Sequence, residues 1–556
     1  MSRSTRVPSA GRLLPPLVVA GVAAMVFRGA LDYFFSQDDF AALARAAGLI
    51  PRFAEPWRWL ALQAYFDVMR PLAGLAALPY HAVSLTAHAA CSTLLYLLLR
   101  RATAGPPALI GALFFASHPA LFTAVYWIST TGDVLAVLIA LTALATALRC
   151  DPARWLALPL YAAALLCKES VLALPVALAA CQVWRRRAPR PAPTTVPTAS
   201  APIAPGPRAL LDATLDPLAI AMAALGTLYI LYFIATQDLA PALGAAPYAA
   251  GPGGHVAANA LSYLGWTANV FLPTVRGFTD AVDPRVFGWA VALIALWGAG
   301  CVARPLRDRG WIEAGVIYVA MLLPVLPLRN HTYHYYLYAA LPAAAWALAA
   351  LSDWALAPLL EVPAAAARAA APPAAASPRR RRDAAATVPV ARPARAAVAW
   401  GIAAMAGGLL ALNGALLVRK IESAPLLLPQ LRAEPLVDRA RIARNVIGGL
   451  RARPPAAGTT LLLWSPEAMA LVARARGDSV ALAEETYWER NVRTALYDGL
   501  AIRLFFPAVR EVRFVRAPVP AGDSALFALY DVDGKLRLFS PAALDSLGRA
   551  GARSGR

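Results

Sequence analysis

Charged residues are scarce in this chain of 556 residues, since Asp, Glu, Lys and Arg together make up 15% of it. An ordinary globular domain carries about 25%. Hydrophobic residues make up 59%, and the mean hydropathy is +0.54. These values exclude a soluble enzyme, a collagen-like chain and a fully disordered chain. They predict a polytopic membrane protein.

Cysteine is also rare. The five cysteines are odd in number and have no spacing typical of a metal or redox motif, which excludes a disulfide framework or a zinc site built on cysteine. All five lie in or beside apolar runs, so we interpret them as small buried hydrophobic residues. They are Cys91, Cys150, Cys167, Cys181 and Cys301.

Acidic residues number 32 against 52 basic ones, a net charge of +20. In a soluble protein this excess would suggest nucleic-acid binding. Here the arginines form short clusters between apolar segments, as the positive-inside rule describes for cytoplasmic loops. We therefore expect anionic lipid headgroups as partners, and no nucleic acid. The clusters are Arg100–Arg101, Arg185–Arg187, Arg304–Arg309 and Arg379–Arg382.

Eleven apolar segments predict about eleven transmembrane helices, several of them shorter than the ~20 residues that a bilayer needs. The first is interpreted as a span with a cytoplasmic N-terminus, because no small-residue cleavage site follows it. Val256–Pro273 is interrupted by polar residues and is predicted not to span. The eleven are Leu13–Phe27, His81–Leu99, Ala108–Ile128, Val134–Leu148, Trp155–Cys167, Val171–Trp184, Pro217–Ala235, Val286–Ala303, Trp311–Leu328, Tyr335–Leu351 and Ala397–Val418.

Composition divides the chain into four parts. Residues 1–352 form the transmembrane module, and residues 353–396 form an Ala-, Pro- and Arg-rich cytoplasmic loop that cannot bury a core and is predicted to be disordered. Residues 397–418 form the last span. Residues 419–556 are richer in charge and predict a small extracytoplasmic α/β domain, with strands at Thr459–Trp464, Val512–Val515, Leu526–Asp531 and Leu536–Phe539.

With this topology most polar side chains collect on the outer side, so a reaction centre is expected there. Asp38 and Asp39 follow the first span. Two adjacent carboxylates repel, so one should have a raised pKa and suit a general base. The alternative is that Ser36 or Asp38 caps the helix that begins near Phe40.

Two further groups suit phosphate recognition. Lys168-Glu169 sits between two apolar spans, where a lysine needs a partner or a purpose. The alternative is an ion pair, or a lysine that snorkels to the interface. Arg329 with His331 follows a later span and suits phosphate oxygens, or else anchors that span in the interface.

Three histidines carry weaker signals. His81 and His88 lie on one helix face, and a packing or hydrogen-bonding role is favoured over metal ligation because no third ligand can be placed. His118-Pro119 is predicted to kink a helix rather than to catalyse.

In this order the motifs resemble membrane glycosyltransferases of the GT-C superfamily. The likeness is to the protein O-mannosyltransferases and the related transmembrane-plus-tetratricopeptide O-mannosyltransferases. It covers residues 30–180 well and 260–345 loosely, although no tetratricopeptide repeat is visible and the Glu-Arg-Tyr type signature appears only as Thr332–Tyr336. The matching motifs are Asp38-Asp39, Arg70-Pro71-Leu72, His81 with His88, His118-Pro119, Ala124–Ile128, Asp133–Ala136 and Lys168–Ser170.

The resemblance implies transfer of a sugar, most simply a hexose such as mannose, from a polyprenyl-phosphate donor to a hydroxyl of a protein or glycan, with inversion. Asp39 or Asp38 would be the base, and Arg70, Lys168 and Arg329 would stabilise the leaving lipid phosphate. The supporting residues would be His81, His118, Asp133, Glu169 and His331. A divalent cation such as Mg²⁺ or Mn²⁺ at Asp38 and Asp39 stays open.

The composition favours a bacterial inner membrane, with the site and the C-terminal domain in the periplasm. Two other classes of function remain as alternatives. A transporter or lipid flippase of envelope glycan assembly would use the same charges as a substrate path, although transporters usually place such charges near the midplane and show internal repeats. An envelope assembly protein would use its outer domain to bind partners, and its intramembrane Lys and His would tolerate mutation.

Overall fold

The computed structural model describes residues 10–53, 56–187, 216–236, 249–268, 284–329, 331–369, 392–423, 434–464, 491–515, 525–530 and 534–540. Within these ranges the protein is mostly helical and ends in a small sheet. The first nine helices are α1 Ala10–Phe27, α2 Asp38–Ala46, α3 Tyr65–Ala73, α4 Ala77–Leu99, α5 Gly105–Ser117, α6 Phe122–Tyr126, α7 Thr131–Ala147, α8 Ala157–Cys167 and α9 Leu174–Arg187. The others are α10 Pro217–Thr236, α11 Gly254–Thr267, α12 Pro284–Val302, α13 Arg304–Arg307, α14 Trp311–Leu322, α15 Leu337–Ala369, α16 Arg392–Glu422, α17 Pro435–Ala452 and α18 Leu500–Phe505.

Each of the eleven predicted spans coincides with a helix. In the described part of the chain, six helices are long and apolar enough to cross a membrane, and a bent pair formed by α5 and α6 makes a seventh. The four others coincide with α8, α9, α12 and α14. Such apolar runs fold as helices because a bilayer leaves no other partner for the backbone N–H and C=O groups. The protein is therefore an integral membrane protein, as predicted.

The bent pair confirms the predicted kink at His118-Pro119. The chain turns by 41° between α5 and α6. His118 has extended backbone angles, φ −67° and ψ 123°, which is the conformation that a following proline favours. The imidazole Nδ1 then accepts a hydrogen bond from the backbone N–H of Ala120 at 3.2 Å. His118 thus caps the short helix that follows the break.

Two predicted boundaries shift. α15 continues to Ala369 and α16 begins at Arg392, so both ends of the segment 353–396 are helical, whereas residues 370–391 lie outside the described residues. Val256–Pro273, predicted not to span, contributes the 14-residue helix α11. Of the five cysteines, Cys91, Cys167 and Cys181 are buried as expected, but Cys150 is exposed and Cys301 half-buried, because each lies at or beyond the end of a helix.

The predicted C-terminal α/β domain is confirmed. Its strands are β1 Thr460–Trp464, β2 Glu511–Val515, β3 Ala525–Tyr530 and β4 Leu536–Phe539. The sheet order is β2-β1-β3-β4, in which β1 pairs in parallel with β2 and β3, and β4 runs antiparallel to β3. The central strand β1 is almost wholly buried, as an uninterrupted apolar run in a parallel sheet should be. The sequence of this domain also predicts helices at 432–451 and 467–476; the first corresponds to α17, and the second lies outside the described residues.

This domain does not stand apart from the loop that follows α1. One apolar core contains Phe35 and Phe40 of that loop together with Ile442 of α17 and Leu496. Helix α2 packs against α18 as well as against α3. The C-terminal domain therefore covers the segment that carries the two adjacent aspartates.

Candidate functional site

The two aspartates at the start of α2 differ sharply in environment. Asp39 is 1% exposed, whereas the side chain of Asp38 is exposed. The Oδ1 of Asp39 accepts hydrogen bonds from the backbone N–H of Ser129 at 2.7 Å and from its Oγ–H at 2.5 Å. Its Oδ2 accepts one from the N–H of Ser36 at 2.9 Å. Asp39 therefore fastens the start of α2 to the connection between α6 and α7, and leaves Asp38 facing outward.

The capping alternative needs a correction. Gln37 occupies the N-cap position of α2, with φ 56°, and its side chain makes no capping hydrogen bond. Neither Ser36 nor Asp38 caps the helix in the described contacts. Asp39 instead reaches back from within the first turn to the N–H of Ser36. The N–H of Ser36 lies before the helix, so this bond ties the preceding residues to α2, whereas a conventional cap would accept from N–H groups within the first turn.

Both carboxylates are poised to hold a proton at higher pH than usual. Burial raises the pKa of Asp39 to about 7, against which the hydrogen bonds from Ser129 and Ser36 act. The surrounding protein also raises the pKa of Asp38, although its side chain is exposed, and Arg439 and Arg45 oppose this shift. A raised carboxyl pKa is what general-base chemistry near neutral pH requires.

Beside this pair lies an ion-pair cluster of four residues, Arg58, Asp133, Lys168 and Glu169, of which Asp133 and Lys168 are buried and the other two half-buried. The Nζ of Lys168 is 3.2 Å from Oδ2 of Asp133, and the two side chains are 9% and 3% exposed. The Arg58 guanidinium donates its Nε–H to Oε2 of Glu169 at 2.8 Å and makes a second contact with Oε1. The structure therefore bears out the ion-pair reading of Lys168, whose partner is Asp133 rather than its neighbour Glu169.

Local backbone geometry brings the four charges together. Helix α8 ends at Cys167, Lys168 adopts an extended conformation, and a 3₁₀ turn follows from Glu169. Gly132 lies against the π-helix Leu60–Ala64, because a Cβ at Gly132 would come within 2.6 Å of the Cβ of Ala61. A glycine at 132 thus lets the segment that carries Arg58 approach α7.

Electrostatics connect the cluster with the acidic pair. Arg58 and Lys168 both lower the pKa of Asp38, although desolvation by the surrounding protein outweighs them. For Glu169, burial would raise the pKa, but Arg58 and Lys168 dominate and lower it to about 2. The cluster carries two positive and two negative charges. Each cation is therefore paired with a carboxylate, and the cluster as a whole has no net charge.

His331 belongs to the same neighbourhood. Its Nε2 lies 3.2 Å from the hydroxyl of Tyr335, and the Nζ of Lys168 lies 5.7 Å from the centroid of the Tyr335 ring. Burial lowers the pKa of His331 to about 3, with Lys168 and Arg58 acting in the same direction. The lowered pKa favours the neutral imidazole of His331, which acts as a hydrogen-bonding group beside Tyr335 rather than as a cation.

Four other predicted residues are not joined to the cluster by any described contact. Arg70 lies in α3, and its buried Nε has no hydrogen-bond partner among the described residues. Arg329 is exposed, with its guanidinium packed over Gly251. His81 is fully buried in α4, and the Nε2 of His118 is 3.3 Å from the carbonyl oxygen of Thr267. His88 contacts the Tyr338 hydroxyl at 2.9 Å and has a packing role.

The sequence reasoning missed Arg58 and the contribution of the C-terminal domain. Arg439 of α17 donates from Nη1 to Oε1 of Gln37 at 2.5 Å and from Nε to Oδ1 of Asn491 at 2.6 Å. Ala495 accepts a hydrogen bond from the backbone N–H of Gln37 at 3.3 Å. The only sequence signal for Arg58 was its place between two tryptophans in the segment between α2 and α3. No local pattern connects Arg439 with a residue 402 positions away.

A divalent cation does not fit the acidic pair as it stands. Both oxygens of Asp39 already accept hydrogen bonds from Ser36 and Ser129, so Asp38 alone presents a carboxylate to a ligand. Among the described residues, no group of three or more His, Cys, Asp and Glu side chains could hold a metal ion.

Comparison with known proteins places the chain in no family. No protein-family model matches it, and no curated protein does. Among solved structures it is similar to ArnT from Cupriavidus metallidurans bound to undecaprenyl phosphate, with 15% sequence identity, a TM-score of 0.44, and 82% of this chain and 83% of that chain covered. These values are too low for either the fold or the function of this chain to rest on the likeness.

Proposed function

We propose that this protein is a glycosyltransferase of the GT-C type that moves a sugar from a polyprenyl-phosphate donor to an acceptor hydroxyl at the membrane surface. One observation carries the proposal. An exposed aspartate with a raised pKa, Asp38, lies beside two cations, the buried Lys168 and the half-buried Arg58, at one end of a bundle of apolar helices. A base next to cations at the edge of an apolar bundle suits a reaction whose donor is a lipid phosphate.

Asp38 would be the base and Asp39 its positioning residue. Asp38 takes the proton of the acceptor hydroxyl as the hydroxyl oxygen forms a bond to the anomeric carbon. The bond between that carbon and the phosphate oxygen breaks, and its electron pair leaves with the lipid phosphate, so the configuration inverts. The solvent-exposed side chain supports this role for Asp38, whereas Asp39 is enclosed and accepts three hydrogen bonds.

Lys168 and Arg58 would stabilise the charge that grows on the departing phosphate. Lys168 has three N–H donors and one described ion pair, with Asp133. The carboxylates of Asp133 and Glu169 hold the two cations in place. They also reduce the positive electrostatic potential that the cations present to a phosphate. Arg70 and Arg329 remain candidates for the same phosphate, and a shift of either side chain on donor binding would be required.

The finer assignments follow from the sequence motifs. They are a hexose, most simply mannose, as the sugar, a protein or glycan as the acceptor, and a bacterial inner membrane with the site in the periplasm. The arginine-rich helix ends support this orientation, because they lie opposite the acidic pair and positive charge favours the cytoplasmic side.

The test uses full-length protein in nanodiscs with a panel of polyprenyl-phosphate sugars, and follows release of free polyprenyl phosphate. Wild type should release it, and Asp38→Asn should not. Asp151→Asn is the matched control, since Asp151 is an exposed aspartate paired with Arg149 at the opposite end of α7. Equal release by wild type and Asp38→Asn would contradict the base assignment. If no donor reacts while liposomes containing the protein move lipid-linked sugar between leaflets, the flippase alternative replaces the enzyme.

A further inference from the structure

A cavity of about 1100 Å³ lies inside the helix bundle, away from the acidic pair. It is larger than the about 300–1,000 Å³ of an ordinary small-molecule site. Helices α4, α7, α9 and α15 form most of its wall, and that wall is mainly apolar. Lining side chains include Leu95, Val137, Leu141, Leu144, Ala177 and Trp346.

The charged end of this cavity, called its mouth below, is at the opposite end of the bundle from the proposed active site. Helix α7 carries Asp133 in its first turn, and Arg149, which borders the cavity, follows its last turn. Helix α8 shows the same arrangement in reverse, with Arg154 before it and Lys168 after it. The 17 residues of α7 separate the two ends by about 25 Å at 1.5 Å per residue.

The mouth is strongly basic. Five arginines and two aspartates border the cavity, a surplus of three positive charges: Arg101, Arg149, Arg154, Arg185 and Arg186, with Asp151 and Asp216. Each aspartate is paired with one arginine, Asp151 with Arg149 and Asp216 with Arg154. Arg101 and Arg185 are exposed at the rim.

Two buried polar atoms at the mouth lack a partner. The Nε of Arg154 and the Oε1 of Gln182 are buried and make no hydrogen bond within the described part of the chain. Both residues border the cavity. A buried donor without a partner is costly, and the Nε–H of an arginine is a group that a phosphate oxygen satisfies well.

We infer that this cavity binds an anionic glycerophospholipid, with its acyl chains among the apolar walls and its phosphate at the arginines. An apolar interior with a basic mouth matches a ligand that is apolar at one end and anionic at the other. A polar anion such as a nucleotide would make no apolar contacts with the walls. A neutral lipid would place no negative charge beside the arginines. A polyprenyl-phosphate donor whose phosphate is bound at Lys168 would place only its apolar prenyl chain near this cavity, and no anionic group at the arginines. The apolar interior extends to Val137 and Val171, near Asp133 and Lys168, but the arginines lie at the other end of α7, so this binding does not rest on the proposed transfer reaction.

The test titrates delipidated full-length protein with palmitoyl-oleoyl phosphatidylglycerol or the matching phosphatidylcholine, and counts bound lipids by native mass spectrometry. Wild type should bind the first lipid saturably and prefer phosphatidylglycerol. The variant Arg101→Gln/Arg185→Gln should weaken phosphatidylglycerol binding about 30-fold, at about tenfold per 1.4 kcal/mol and roughly 1 kcal/mol per arginine. Ala140→Phe, which fills the apolar interior while leaving the mouth intact, should weaken both lipids.

The matched control is Arg304→Gln/Arg307→Gln, which removes two exposed arginines of α13 that do not border the cavity. It should bind both lipids like wild type. Phosphatidylglycerol binding that survives Arg101→Gln/Arg185→Gln would overturn the inference, as would an equal loss in the control. If the lipid still binds Ala140→Phe like wild type, it lies on the surface and not in the cavity, and the inference fails. Because the readout is lipid binding, failure of the transferase proposal would leave these outcomes unchanged.

Discussion

Exchanging the two neighbouring aspartates for asparagine, one at a time, should separate chemistry from positioning. Asp38→Asn keeps the size of an exposed side chain and removes its ability to take a proton. Loss of a general base typically costs about 10²- to 10⁴-fold in rate. Its described environment includes no hydrogen bond that the exchange would break, so the thermal unfolding midpoint should stay close to that of wild type.

Asp39→Asn should act first on stability. The Asp39 carboxylate accepts hydrogen bonds at both oxygens, from Ser129 and from Ser36. An asparagine has one carbonyl oxygen, so if that oxygen keeps the Ser129 contacts, its NH₂ group faces the N–H of Ser36. A buried donor left without an acceptor costs about 1–3 kcal/mol. We therefore expect a lower unfolding midpoint. We also expect a partial loss of transfer, because the start of α2 would no longer hold Asp38 in its position.

The assay measures release of polyprenyl phosphate and the unfolding midpoint in the same detergent for both variants, with Asp32→Asn as an exposed aspartate control from the same outer segment. The expected pattern is an inactive, stable Asp38→Asn and a destabilised, partly active Asp39→Asn. The reverse pattern, with Asp38→Asn within tenfold of wild type and a stable Asp39→Asn that is inactive, would refute the assignment and make Asp39 the base.

Three further outcomes follow from the buried charges. Lys168→Met leaves Asp133 unpaired and should destabilise the protein by about 3–5 kcal/mol. Adding Asp133→Asn should restore the unfolding midpoint but not the affinity for the donor. If the double variant bound the donor like wild type, Lys168 would not belong to the site. The pKa of Asp39 is raised from 3.8 to about 7, so its contribution to stability is full below about pH 4 and is lost as pH rises through 7. The thermal unfolding midpoint of wild type should therefore decrease between pH 5 and pH 8, and Asp39→Asn should reduce this pH dependence. Arg439→Gln removes a charge that lowers the pKa of Asp38, so the acid limb of the pH–rate profile should move to higher pH, whereas an unmoved limb would exclude this coupling.

The transmembrane helices were predictable because each is a long local pattern. A run of apolar residues between arginines defines a span without any knowledge of its neighbours, and all eleven runs coincide with helices. The strands of the C-terminal domain were predictable for the same reason. Helix ends were less so, because α15 continues past Leu351 into a segment whose Ala-rich composition suits a helix as well as a loop.

The site was only half visible in the sequence. Lys168, Asp133 and His331 were selected because polar residues among apolar spans need a purpose, and the structure brings them together. Arg58 escaped notice because it lies in a loop with no periodic pattern, and its contact with Glu169 spans 111 positions. Arg70 and Arg329 looked equivalent to Lys168 in the sequence. Their side chains point elsewhere, which only the tertiary packing decides.

The predicted boundary at residue 419 separates two parts that share a core. Helix α2 is amphipathic, and at the membrane surface its apolar face needs a cover that neither water nor lipid headgroups provide. The C-terminal domain supplies that cover through Ile442 and Leu496, which join Phe35 and Phe40 in one buried cluster. The polar contacts of Arg439 then fix Gln37, the residue immediately before Asp38. Burial of the apolar face is non-directional, so it can hold the domain on the loop, whereas the hydrogen bond from Arg439 to Gln37 and the one from the Gln37 N–H to Ala495 determine its orientation. The position of the proposed base therefore depends on a domain that the sequence presents as a separate unit.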